Sequence, residues 1–415
     1  VNRVLRRMHL DCLLSGRTSD AAGIAIAAAL GTNSTLRALH IQGNSCAIGD
    51  ATGIAMANTL TRNQALQSLR LAGHGIGDAA GVAVSAALRV NCALEHVFFA
   101  GRRIGNTTEF ATAMSGTLRA NVVLKSLAIE NHHMSDAAGA ALGGCLQVNG
   151  VLETLRVVCA GIGSATVVAL AHGLRDNSKL KELHADGLNI REDAVVAMAE
   201  ALEVNRTLLS LSLLNPCLHI GNGDVVGSAL SRALQANTTL RSLKLTFGAL
   251  GGKMWARIAE GLKANSSLHL LQLHGYGVDT DALSALAWAL EANVMLKHLH
   301  LDSEVIGDMS DIEESPALGG SETSMRLHPL DQLELTADAA ATGESSARIK
   351  AALERNCMLP EYWRRLVWLT RKTTSPRALR TVAAMTEQGF RRAVFAFLLP
   401  AGATLPRTQA CRGMQ

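Results

Sequence analysis

Apolar and polar positions along the chain repeat one phrase, seen most clearly in Ala83–Phe99, AVSAALRVNCALEHVFF. Its constant positions read L-x-x-N-x-x-L-x-x-L-x-L, with other apolar residues sometimes replacing the later leucines. The asparagine returns as Asn2, Asn33, Asn63, Asn91, Asn121, Asn149, Asn177, Asn205, Asn237, Asn265 and Asn293, at spacings of 28 to 32 residues, with a late echo at Asn356. A period this regular fixes what each residue is for and is read before any single motif.

Three residues before each asparagine stands a leucine, from Leu30 and Leu60 through to Leu290. Seven before it stands another large apolar residue, such as Met56, Val84, Met114 and Leu170. That four-residue step marks one face of a helix. The position four before is always small (Ala29, Thr59, Cys145, Gly173 and their equivalents), and the one six before is small as well (Ala57, Ser85, Gly143). Small side chains let neighbouring helices lie close together. After the asparagine, apolar residues at +6 and +8 alternate with variable ones, the period of a short strand. Each repeat is therefore expected to be a strand, a turn and a helix. Successive strands must run the same way, which gives an α/β solenoid with parallel strands on the concave face and helices on the convex face.

On these columns the chain resembles the ribonuclease-inhibitor-like leucine-rich repeats, which also occur in NOD-like receptors and Ran GTPase-activating proteins. The resemblance covers residues 1–302. One column departs from it. The family usually carries Asn or Cys three residues after the last leucine of the strand, bonding the backbone of the turn. Here that position reads Asn44, His74, Arg102, His132, Ala160, Leu188, Pro216, Gly248, Tyr276 and Glu304. This edge of the sheet is expected to be irregular.

The pattern also divides the chain. Residues 1–302 form the repeats, interrupted by a small insertion at Asn215–Asp224. Residues 303–326 read as an acidic flexible insertion: Asp302–Glu322 holds seven acids and no Lys or Arg, with Pro316 and Gly319–Gly320 among them. Residues 327–357 are a degenerate last repeat, with Leu330, Leu333 and Leu335 and a helix over Ser346–Arg355. Residues 358–399 are a basic, aromatic-rich helical cap in which Trp363 and Trp368 would cover the end of the core. Residues 400–415 are expected to be disordered. The formal net charge of +4 hides this division, because Cys357 to the end carries ten Lys and Arg against Glu361 and Glu387. The body is therefore acidic overall.

Apolar residues make up 48% of the chain and aromatics only 3%, which argues against an aromatic-lined ligand cavity. No apolar run approaches the ~18 residues of a membrane span. Val1–Cys12 already sits in register as the strand half of a repeat, so no leader peptide is expected, and the start without Met suggests part of a longer protein. The eight cysteines lie scattered, with no C-x-x-C, and read as reduced thiols of a cytoplasmic or nuclear protein. Four of the five N-x-S/T sequons (Asn33, Asn205, Asn237, Asn265) are simply the repeat asparagine, and Asn106 is the fifth.

Little is left for catalysis. Gly73–Asp78 and Gly161–Gly163 imitate nucleotide loops, yet both sit at the strand-to-helix turn, where Ile-Gly-Asp also starts at Ile48 and Ile306. Gly251-Gly252-Lys253-Met254 lacks the leading Gly and the Ser/Thr of a phosphate loop. His298, His300 and Asp302, with His274 beside them, and Glu182, His184 and Asp186 share strand faces, but side chains standing parallel from a sheet converge poorly on a metal. No hydrolase signature occurs. No catalytic, cofactor or metal residue is assigned, and the chain reads as no enzyme.

The candidate site is the central concave column, seven residues after each asparagine: His9, His40, Arg70, Phe98, Ala128, Arg156, His184, Ser212, Lys244, Gln272 and His300. It varies while the core columns stay uniform, contains no acid and includes three fixed cations, so it suits an acidic protein partner. His40, Arg70, Phe98, Arg156, His184, Lys244, His298 and His300 are the predicted partner-binding residues. Trp288, on the convex side, is either a contact or a packing partner of Trp255. Nucleic acid fits poorly, since only Phe98 could stack and the body is acidic. The sequence therefore predicts a protein-interaction scaffold. The resemblance implies two alternatives: the sensor repeats of a NOD-like receptor, or a Ran-type GTPase activator with a small GTPase as partner.

Overall fold

The computed structural model describes residues 4–11, 20–43, 48–105, 107–131, 134–159, 162–187, 190–214, 223–249, 252–276, 280–302, 335–336, 348 and 351–352. Strand and helix alternate through residue 302. The first elements are β1 (Arg7–Asp11), α1 (Asp20–Thr32), β2 (Ala38–Gly43), α2 (Asp50–Leu60), β3 (Ser68–Gly73), α3 (Asp78–Leu88), β4 (His96–Gly101) and α4 (Thr108–Ala120). Then come β5 (Ser126–Asn131), α5 (Asp136–Leu146), β6 (Thr154–Cys159), α6 (Ser164–Asp176), β7 (Glu182–Asp186), α7 (Glu192–Val204), β8 (Ser210–Leu213) and α8 (Gly223–Ala236). The last are β9 (Ser242–Ala249), α9 (Gly252–Ala264), β10 (Leu270–Tyr276), α10 (Thr280–Ala292), β11 (His298–Asp302) and β12 (Leu335–Thr336). All described strands form one parallel sheet in strict chain order, and each helix is the crossover that a parallel pair requires.

The core lies between the sheet and the helix layer. Leu69 and Leu71, Val97 and Phe99, and Leu127 and Ile129 point from the strands into it, and Met56, Leu60, Val84, Leu88, Met114 and Leu118 meet them from the helices. These are the +6, +8, −7 and −3 columns of the repeat. Helices need 8–10 Å of spacing and strands about 4.8 Å, so stacking both at one pitch bends the sheet inward. Small residues at the helix seam limit that bend. A Cβ on Gly173 would collide with the Gly143 carbonyl oxygen, so α5 and α6 touch through bare backbone there.

The repeat asparagines form a buried ladder at the helix-to-strand turn. The Asn177 amide donates to the carbonyls of Leu146 (2.7 Å) and Asn149 (3.0 Å), and its oxygen accepts from the amides of Lys179 (2.8 Å) and Leu180 (2.7 Å). Asn63, Asn91, Asn205 and Asn237 repeat this scheme. Each side chain thus fills a carbonyl left over at the end of the preceding helix and fixes its own turn. The phrase L-x-x-N-x-x-L is this bond set written in sequence. On the opposite edge β9 and β10 do shift register beyond His274. Asn205, Asn237 and Asn265 spend their amide nitrogens inside the ladder, which closes those three sequons to a glycan; Asn106 lies outside the described residues.

A second ladder caps the helices. The N-cap positions Gly49, Gly77 and Gly163 have no side chain to offer, and the carboxylate of the preceding repeat supplies the acceptor. Asp20 takes the amides of Gly49 (2.8 Å) and Thr52 (3.1 Å) and the Thr52 hydroxyl (2.7 Å). Asp50 takes Gly77 and Ala80, and Asp136 takes Gly163 and the Thr166 hydroxyl. A Cβ on Gly163 would come within 2.7 Å of the Asp136 carboxylate, so glycine is what lets the acid in. A negative charge here also opposes the helix dipole. Burial alone would raise the Asp20 pKa, but the bonds from the Thr52 hydroxyl and the Gly49 and Thr52 amides outweigh it and hold the group below 3.8. The stability it contributes is therefore complete above that value and disappears as pH falls through the lowered one. Asp136→Ala should cost about 1 kcal/mol in urea unfolding, and Asp20→Ala should remove part of the loss seen below pH 4.

Beyond β11 the two-residue strand β12 joins the sheet, with Leu335 paired with Leu301 and Thr336 with Asp302. Ala352 is buried in the core, and Arg348 bonds Glu291 at 2.6 Å. The acidic insertion, the aromatic cap and the last 16 residues of the chain lie outside the described residues.

Candidate partner-binding surface

The sheet places the central column in one unbroken row. Strand pairing sets His9 beside His40, then Arg70, Phe98, Ala128, Arg156, His184, Ser212, Lys244, Gln272 and His300. Register in a parallel sheet follows from the buried face, because a slip of one residue would turn the leucines to solvent. The variable row is thus held straight by the invariant one. Its members are half-buried or exposed, apart from Ser212, which is buried.

Charges in the row are not equivalent. The Arg70 guanidinium lies over the Phe98 ring, 3.6 Å from its centroid. Arg156 is paired with Glu130 of the preceding strand at 3.1 Å. The row itself carries no acid, but the neighbouring column supplies Glu130 and Asp186, a point that the single column hid. Among the described residues Arg70 and Lys244 form no ion pair. Burial lowers the His184 pKa, helped by Arg156 and Lys244 and opposed by Glu182. Burial also lowers that of His40, helped by His9, Arg70 and Arg7. The lowered values favour the neutral imidazole in both, which offers hydrogen bonds and ring surface, and leave the positive charge to the fixed cations. His9 and His40 meet edge to face, 5.8 Å between centroids.

Between β7 and β8 the regular register ends at His184 and Ser212, and one further backbone bond runs from the Gly187 amide to the Leu214 carbonyl (3.0 Å). The Asp186 carboxylate takes over, accepting from the Leu214 amide (3.2 Å) and the Ser212 hydroxyl (3.3 Å). Its burial raises its pKa against these bonds and the nearby cations. The group acts as a strand-end brace beside the sequence insertion.

Of the remaining predicted residues, His298 is exposed and His300 half-buried on β11, in the same sheet but far along it from Arg70. Trp288 is 50% exposed on the convex side, with the Lys263 ammonium 3.4 Å above its ring. Trp255 is fully buried, its indole N–H without a partner among the described residues, and no ring contact joins the two tryptophans. Sequence reading missed an exposed apolar line, Val90, Val122 and Val148, each next to a ladder asparagine. It also missed the rim pairs Lys125–Glu95 and Lys181–Glu153, both 2.8 Å. The residue four after each asparagine, read across strands, would have revealed these pairs.

Among the described residues no three His, Cys, Asp or Glu side chains are placed to hold a metal ion, and no helix is long and apolar enough to cross a membrane. Cys92 is an exposed free thiol, while Cys145 and Cys159 are buried. Burial pushes the Cys145 thiol up to about 12, so it donates to the Leu142 carbonyl and stays inert.

A family model described as Leucine Rich repeat matches residues 62–85, which run from the end of α2 through β3 into α3. The fold is a leucine-rich-repeat solenoid. Among solved structures the chain is similar to Leiomodin-1 Actin-Binding Site 2 (ABS2), with 19% identity over 36% of this chain and 82% of that chain and a TM-score of 0.30. No curated protein matches the chain. Leucine-rich-repeat solenoids are in general protein-interaction scaffolds rather than enzymes.

Proposed function

We propose that this solenoid, of the ribonuclease-inhibitor-like class, is a non-enzymatic scaffold that receives a partner protein on its concave face. The observation that carries the reading is the in-register row, which sets side chains of differing chemistry on a face the buried leucines hold rigid. A preformed surface loses little ordering entropy on binding, so modest contacts suffice for useful affinity. Free cations at Arg70 and Lys244 favour an acidic partner by steering its approach. The free thiols at Cys92 and Cys145 fit a reducing compartment, the cytoplasm.

The test is capture of the partner by wild type and by the double variant Arg70→Glu, Lys244→Glu. Arg156 is left in place because its removal would strand Glu130. Both altered side chains lack carboxylate partners, so the fold should persist, as checked by circular dichroism. Capture should fall at least about tenfold at low salt, a difference of 1.4 kcal/mol, while Lys263→Glu on the convex side should leave it unchanged. Equal capture by wild type and the double variant would contradict the proposal.

A further inference from the structure

Arg70 differs from every other cation on the concave face. Its guanidinium is held in place by the Phe98 ring at 3.6 Å, yet no carboxylate or carbonyl among the described residues accepts from it. Arg156 is in the opposite condition, with Glu130 already on it at 3.1 Å. A guanidinium stacked on an aromatic ring keeps its planar fork of N–H donors, and that fork matches a carboxylate in two parallel bonds. The stacking also removes side-chain freedom before anything binds. The ground beside it is low. Ala128 separates Phe98 from Arg156 in the row, and Ala72 and Ala100 follow Arg70 and Phe98 two residues further along their strands. With strands about 4.8 Å apart, the gap over Ala128 is roughly 10 Å wide from strand to strand, room for one apolar side chain.

We infer that Arg70 and Phe98 form a seat for a side-chain carboxylate of the partner, and that the adjoining apolar side chain of the partner lies over Ala128 against the Phe98 ring. This inference rests on the concave-face reading above. A carboxylate is favoured over a phosphate group because one free guanidinium stands here, and phosphate recognition in peptides uses clusters of arginines.

The test uses an array of terminally blocked peptides in which Leu or Phe is followed by Asp, by its neutral isostere Asn, or by phosphoserine. Wild type, Arg70→Gln, Arg70→Lys, Phe98→Leu and Lys244→Gln proteins are compared. Wild type should retain the Asp peptides about tenfold better than the Asn peptides, the scale of one charge-assisted hydrogen-bond pair. Arg70→Gln should abolish that preference, Arg70→Lys should keep a fraction of it, and Phe98→Leu should weaken it while leaving the charge present. An unchanged preference in Arg70→Gln, stronger retention of the phosphoserine peptides, or no peptide retained at all would each overturn the inference. If Lys244→Gln alters retention while the Arg70 variants do not, the seat is wrong and the concave-face reading stands. If none of the four substitutions alters it, both fall.

Discussion

Asn177→Ala should destabilise the solenoid by about 3 kcal/mol, because each buried polar group left without a partner costs roughly 1–3 kcal/mol. Its four bonds, all between 2.7 and 3.0 Å, join the carbonyls of Leu146 and Asn149 to the amides of Lys179 and Leu180. Alanine leaves two carbonyls and two amides behind it, in a place where Asn177 itself is only 5% exposed. Ser178, the exposed neighbour, should be replaceable by alanine with almost no effect. Asn177→Asp should be at least as damaging as alanine, since a carboxylate would face two carbonyl oxygens with nothing to donate. Urea unfolding measures the loss. Hydrogen exchange should place it around β6 and β7, because a repeat protein passes strain only to its neighbours.

Adjacent glycines on α5 should respond with opposite sign. A Cβ on Gly144 would meet nothing within 4 Å, so Gly144→Ala should stabilise by about 0.5–1 kcal/mol through the lower backbone entropy of the unfolded chain and better helix propensity. A Cβ on Gly143 would stand 2.5 Å from the Ala169 carbonyl carbon and 2.6 Å from the Leu170 amide nitrogen. These are backbone atoms of α6 and cannot step aside singly. Forcing the two helices apart costs about 1–3 kcal/mol, which exceeds the propensity gain, so Gly143→Ala should be destabilising. Thermal melts of the two variants beside wild type would show the midpoint moving up for one and down for the other. Equal shifts would mean that the α5–α6 seam is not close-packed.

Repeat columns made the fold legible, because a residue type that must be buried in every turn of a solenoid appears at a fixed spacing. Small residues at the helix seam were legible for the same reason, and Gly143 and Gly173 meet as their columns require. The role of the asparagine was not, because its hydrogen bonds run to Leu and Asn of the previous repeat, and a single repeat shows only the conserved letter. Asp50 escaped in the same way: Ile48-Gly49-Asp50 reads as a turn until the acid of one repeat is seen capping the helix of the next. On the sheet the column's residues lie side by side in register, as the repeat period implies. Its electrostatics were not legible, because the partner of Arg156 stands two residues further along the neighbouring strand, at Glu130, in a column read separately. The neutral state of His40 and His184 depends on burial, which a list of residue types does not contain.

Whether the partner sits on the concave row is tested most directly by site-specific photo-crosslinking. A photoreactive side chain placed at Ala128 or Ser126 on the concave face, or at Gln147 at the end of α5 or Arg175 on α6, would be irradiated with the captured partner. Covalent adducts from the concave positions and none from the helical ones are predicted. Adducts confined to Gln147 and Arg175 would contradict the account.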